Sequence, residues 1–262
     1  MYTRQQLMQQ LEQMGLKHTD AVMMHSSMKA IGAVEGGADT VLDALMEYFA
    51  PGLLMTPTHT WRQMSESYNV FDPATEPSCV GLLTNLFMKR PGVVRSLHPT
   101  HSIAAYGPEA AAYVQGEENM TTPCAPEGVW GRLLEKKGKV LLVGVTHARN
   151  TYIHAVEEML DVPERLTEKP VEFVIVMPDG SRKTVHVHRH YNPVEPHISE
   201  RFDKLMEGYF ETGAALRGKL GDAECILCDC ERIYEVTRRV LSHQINAFID
   251  CPEIPRAWWT ED

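Results

Sequence analysis

Apolar positions recur in two rhythms along the chain, and the switches between them lay out an alternation of helices and strands. Leu7, Leu11 and Met14 recur at helical spacing and stop at Gly15, which predicts a helix over 3–16. Asp20 to Ser27 is a short apolar run ending in small polar residues, as a buried strand does. A glycine-containing loop over 28–40 and a helix from Val41 to Phe49 follow. Pro51-Gly52 turns the chain into a second strand that starts at Leu53 and leaves through Thr56-Pro57-Thr58-His59-Thr60-Trp61. Residues 62–79 are polar and carry Pro73 and Pro77, so they read as a long loop, the kind that is usually functional.

The second half continues the pattern. Helices are predicted over 80–89, 108–114 and 130–137, with a small-residue strand near 102–107 and a polar loop over 115–126. Val140-Leu141-Leu142-Val143-Gly144 reads as a central buried strand within 139–145. Asn150-Thr151 then opens a helix, since either side chain can accept an N–H of the first turn. Asp161-Val162-Pro163 breaks it. Residues 171–177 and 182–188 form a hairpin about Pro178-Asp179-Gly180. A helix over 198–217, a strand over 224–229 and an amphipathic helix over 231–245 complete the series, with Trp258 and Trp259 expected to pack back on the body. No repeat or Gly/Ser linker interrupts it, so one domain over 1–262 is the simplest reading.

Composition narrows the function classes. With 44% hydrophobic and 23% charged residues, the chain belongs among globular proteins. A net charge of −10 disfavours a nucleic-acid partner and suits a small cationic one. No apolar run approaches a membrane span, and no apolar leader opens the chain, so a cytoplasmic location is expected. Cys225 and Cys228 form a lone CxxC inside an alternating run, which reads as a strand rather than a zinc or redox site.

Candidate chemistry centres on His154, about one turn inside its helix, with Glu157 at i+3 on the same face. A histidine just beyond the C-terminal end of a central strand lies where open α/β sheets place their sites. Ser26, Ser27 and the Gly36-Gly37 loop bring hydroxyls and bare N–H groups toward an anion, though the pattern is neither GxGxxG nor a Walker loop. Arg95 offers a guanidinium for a phosphate. His98 and His101 stand at i, i+3, but Pro99 between them argues against a helical metal site. His186, His188 and His190 alternate, and on a strand they would share one face.

These segments, taken in order, resemble one family: the aminoglycoside 3-N-acetyltransferases, which use acetyl-coenzyme A and are distinct from the GNAT acetyltransferases. The matching stretches are His25-Ser26-Ser27 with Ile31-Gly32 and Gly36-Gly37, Met55 to His59, and Arg95 to Pro99 with Ser102 and Gly107. Pro126-Glu127-Gly128 before Leu133, and Lys139 to Gly144 followed by Asn150 to Glu157, complete them. The resemblance implies an α/β fold of one domain, with a mixed central β-sheet sandwiched between helices. It implies direct acetyl transfer from acetyl-coenzyme A to an amine of a cationic, aminoglycoside-like acceptor, without an acyl-enzyme, a metal or a membrane. His154 falls on the catalytic histidine and Glu157 on its acidic partner, with Thr56, Thr58 or the backbone of the Ser26–Lys29 turn as donors to the developing oxyanion. Coenzyme A is expected at His25, Ser26, Ser27, Met28, Lys29, Gly36, Gly37, Arg95, Ser96 and His98, and the acceptor at His59, Asp72 and Glu195. The chain departs from the family at Ala125, where serine is usual, and through the C-terminal third from the 186–190 hairpin onward. A monomer or homodimer is expected.

Two rivals stand beside this reading. A metal-dependent hydrolase would draw ligands from His98, His101, His147, His154 or the 186–190 trio, but no matching acidic ligand accompanies them at a useful spacing. A non-catalytic module of the same fold would bind coenzyme A or an amine, and the intact His154 and Glu157 argue against it. A serine hydrolase lacks its GxSxG.

Overall fold

The computed structural model describes residues 1–260. Strands among them are β1 (Ala21–Ser26), β2 (Leu53–Pro57), β3 (Val70–Phe71), β4 (Val94–Arg95), β5 (Ile103–Tyr106), β6 (Lys139–Val143), β7 (Val171–Val176), β8 (Arg182–Val187), β9 (Ala215–Leu220) and β10 (Ala223–Asp229). Seven of them form one mixed sheet in the order β4-β5-β2-β1-β6-β10-β9. The central strands β2, β1 and β6 run parallel, and both flanks are antiparallel.

The central strands read as continuous apolar runs because both faces are covered. Met23, Met55, Val140 and Leu142 pack on one side with the helices Thr151–Met159 and Cys230–His243. Val22, Met24, Leu54, Leu141 and Val143 pack on the other with the helices Arg4–Gln13 and Gly37–Tyr48. Each fully buried leucine here contributes about 1.5–3 kcal/mol. The sandwich expected from the sequence is therefore the fold observed. Cys225 and Cys228 fall in opposite cores, so the CxxC is a strand detail.

Two stretches differ from their sequence reading. The hairpin β7–β8 joins β3, from within the 62–79 loop, in a separate three-stranded sheet over Met64, Phe71, Phe173, Ile175 and Val187. A two-residue strand has no period to read. The predicted 198–217 helix is a 3-10 helix Ile198–Leu205, then an α-helix Met206–Glu211; Gly213, at φ 69°, turns the chain into β9. The tail packs as expected, with Trp259 Nε1 donating to Glu211 Oε2 at 3.1 Å. No helix among the described residues is long and apolar enough to cross a membrane.

Candidate active site

The parallel strands β1, β2 and β6 end together, and a cavity of about 510 Å³ opens at their C-terminal ends, where His25, Ser26, Pro57 and Val145 contribute to its wall. Gly144 makes this exit tight. It holds φ 63°, and a Cβ there would lie 2.2 Å from Ala30 Cβ. The chain can therefore leave β6 against Ala30, while Ser27 N–H donates to Val143 O at 2.9 Å, extending the β1–β6 ladder and seating Ser26 at the rim.

His154 enters from the next helix. Asn150 caps that helix by accepting the Tyr152 N–H at 3.2 Å, and Thr151 Oγ1 lies 3.1 Å from His59 Nε2. One turn further on, the His154 ring reaches the cavity wall. Its Nδ1 stands 3.4 Å from Glu157 Oε2, an ion-pair distance rather than a tight hydrogen bond, and that oxygen has no hydrogen-bond partner. The other oxygen of Glu157 accepts Arg165 Nε at 2.7 Å, deep in the protein. Burial, together with charge on the neighbouring His190, pushes the His154 imidazole down to about 4 against the pull of Glu157. At neutral pH the ring is uncharged and able to take a proton.

Other predicted residues fall inside or outside this wall. His25, Ser26 and His59 line it, and burial drives the His25 imidazole down to about 3. His25 Nε2 and His59 Nδ1 are buried without a hydrogen-bond partner. Ser27 caps the short helix Met28–Ile31, and Met28 and Lys29 begin it; none of the three lines the cavity. The Gly36-Gly37 turn opens the helix Gly37–Tyr48 away from the cavity lining.

Several expected contacts are committed to the protein itself. Arg95 donates to Thr58 O, Pro73 O and Glu76 O at 2.9, 3.1 and 2.6 Å, and to the hydroxyls of Thr58 and Ser102. It clamps the 58–76 segment instead of facing a phosphate. Thr58 Oγ1 lies 2.8 Å from Ser102 Oγ, is fully buried and is not part of the lining. Ser96 Oγ accepts Ile103 N–H, and His98 pairs with Thr122 O and the His101 N–H. Asp72 caps a turn through Ala74 N and Thr75 Oγ1, and Glu195 pairs with Arg201; neither is part of the lining. The three hairpin histidines diverge because β8 ends at Val187. His186 is exposed beside Glu172, His188 pairs with Thr167 O, and His190 turns inward to Glu158.

The lining also holds Arg62, Cys79, Arg189 and Tyr191, from the 62–79 loop and the 186–197 region expected to shape the acceptor pocket, together with Trp61 and Arg149, which the sequence did not single out. They come from the two loops beside the small sheet and from the turn before the His154 helix, where no periodicity marks them.

A buried imidazole beside a carboxylate thus faces an open cavity at the ends of parallel strands, an arrangement able to accept a proton from a bound group. The chain matches the Aminoglycoside 3-N-acetyltransferase family over residues 23–242, and it belongs to that family. It is 32% identical to aminoglycoside N(3)-acetyltransferase IV of Salmonella sp. over 96% of this chain and 92% of that protein. It is 28% identical to aminoglycoside N(3)-acetyltransferase IX of Micromonospora chalcea, over 88% and 90%. A solved structure of a mutant of aminoglycoside acetyltransferase AAC(3)-IVa in complex with a gentamicin superposes with a TM-score of 0.79 at 27% identity, covering 93% of this chain and 89% of that one. The chain is accordingly an acyltransferase, with acetyl-coenzyme A as its cosubstrate.

Proposed function

We infer that the chain transfers acetyl directly from acetyl-coenzyme A to a primary amine of an aminoglycoside-like acceptor, at the 3-N position, with His154 as general base and Glu157 as its partner. One observation carries this reading: a neutral, cavity-facing His154 backed by a carboxylate that Arg165 fixes. The attacking nitrogen must be uncharged. As its lone pair bonds to the thioester carbon, its remaining hydrogens become acidic. His154 takes one, and Glu157 stabilises the imidazolium. The C–S bond breaks, and the proton passes to the departing sulfur, leaving an amide and free coenzyme A thiol.

His25 and His59 support the coenzyme site, since each holds a buried ring nitrogen without a protein partner, suited to the thioester carbonyl or a neighbouring amide. With Thr58 turned away, these nitrogens, the Thr56 hydroxyl, which is also buried without a partner, and the Ser26–Lys29 backbone are the remaining candidates for the oxyanion. The acceptor enters past Trp61 and Tyr191 at the open side, both exposed. Release of coenzyme A thiol, followed with gentamicin and with simple amines, tests the reading. Turnover of gentamicin that disappears in His154→Ala supports it. Undiminished turnover in that variant overturns the base assignment.

A further inference from the structure

The wall beside His154 carries a second imidazole–carboxylate pair. His190 lies 4.1 Å from His154, ring centre to ring centre, with the planes 24° apart. Its Nε2 stands 3.0 Å from Glu158 Oε1. Glu158 follows Glu157 directly, so one helix aims two adjacent carboxylates at two stacked rings. Burial works against the Glu158 carboxylate, yet His190, Thr122 and the Cys124 N–H hold it below the usual range. It is ionised at neutral pH and accepts, so His190 Nε2 donates, which fixes the tautomer of that ring. Phe202 meets His154 edge-on at 4.8 Å.

We propose that His190, held by Glu158, is a positioning residue for acyl transfer: it fixes the plane of the His154 ring toward Glu157 and opposes a stray proton on it. The proposal rests on His154 being the base. A ring with one 3.4 Å polar contact would swing about its outer torsion, and a stacked neighbour on a tether removes that freedom. Glu157 and Glu158 face His154 from its own helix, His190 from the segment after β8, and His59 and His101 from across the cavity. Arg165 acts only through Glu157. The carboxylates favour an imidazolium at position 154 and the histidines oppose it. The His190 ring, 4.1 Å away, opposes a proton on His154 and so keeps the base free to lower pH. Removing His190 therefore moves the acid limb of activity upward.

The test compares His190→Ala, His190→Phe and Glu158→Gln with wild type, using acetyl-coenzyme A and gentamicin, with melting temperature and coenzyme A binding measured alongside. His190→Ala is expected to lower kcat by about ten- to hundredfold while the KM for acetyl-coenzyme A changes by less than about threefold. His190→Phe restores a stacking ring, recovers much of kcat and carries the acid limb of kcat/KM to higher pH. The 13C resonance of the His154 ring reports the same upward shift with no acceptor present. A His190→Ala enzyme with kcat within about twofold of wild type overturns the proposal. So does a His154 titration unchanged in His190→Phe. If His154→Ala itself keeps full turnover, the base reading falls first; loss there with wild-type behaviour at position 190 defeats this proposal alone.

Discussion

Arg165 Nε donates to Glu157 Oε1 at 2.7 Å, with both side chains at most 3% exposed, and this ion pair decides which oxygen of Glu157 faces His154. Arg165 Nη1 and Nη2 are tied to Pro163 O and Asn246 Oδ1, so the guanidinium is fixed from behind. Replacing Arg165 with methionine strands a buried carboxylate. Breaking such a pair costs about 3–5 kcal/mol. The expected result is a large fall in melting temperature and a kcat loss approaching that of Glu157→Gln. A variant of wild-type kcat would show that the orientation of Glu157 does not matter to turnover.

Arg95 yields a second prediction, because sequence and structure assign it different work. The guanidinium faces backbone oxygens of the 58–76 segment and lies over Phe71, 5.0 Å from the ring centre. Burial lowers its pKa to about 10. Arg95→Met should cost stability by about 3–5 kcal/mol, since it leaves buried acceptors unpaired. If Arg95 instead held coenzyme A, the variant would show a salt-dependent loss of coenzyme binding at little cost in stability. Calorimetric binding at two salt concentrations separates the outcomes.

Much of the fold was legible because its signals were local. The runs at 20–27, 53–57 and 139–145 are apolar on both faces, and only a parallel centre under two helical layers buries such strands. The His154–Glu157 pair was legible for the same reason: i, i+3 spacing on a capped helix sets one face. What escaped was long-range. Nothing near His190 in sequence announces Glu158, 32 positions earlier, and an alternating His-x-His-x-His invites a strand that ends at Val187. Arg95 looked like a phosphate ligand because residue type does not tell a clamp from a contact. Its backbone partners at Glu76 and Thr58 lie 19 and 37 positions away.

Stability should depend on pH through histidines buried in their neutral form. Burial lowers His25 to about 3 and His98, His147 and His154 to about 4, all below the ordinary 6.5. Below that value the unfolded chain binds protons that the folded chain refuses. Their contribution is intact above about pH 6.5 and is lost as pH falls toward the folded values, by about 1.4 kcal/mol per unit for each ring. The melting temperature should fall steeply between pH 6.5 and 4.5, and His98→Gln should flatten that slope. A melting temperature constant across the interval would mean that these rings stay solvated and protonate in place.

Gly144 and Gly37 separate the proposed coenzyme rim from the other glycine turn. Both hold positive φ, 63° and 66°, so alanine strains either backbone by about 1–2 kcal/mol. Their surroundings differ. A Cβ at Gly144 would press to 2.2 Å from Ala30 Cβ and push the Ser26–Ser27 turn off the end of β6, whereas a Cβ at Gly37 meets nothing within 4 Å. Gly144→Ala should therefore raise the KM for acetyl-coenzyme A by about tenfold or more as well as lower the melting temperature. Gly37→Ala should lower only the melting temperature. An equal rise in KM for Gly37→Ala would bring the Gly36-Gly37 turn into the coenzyme site, which would then extend beyond the cavity at the strand ends, along the start of the helix Gly37–Tyr48.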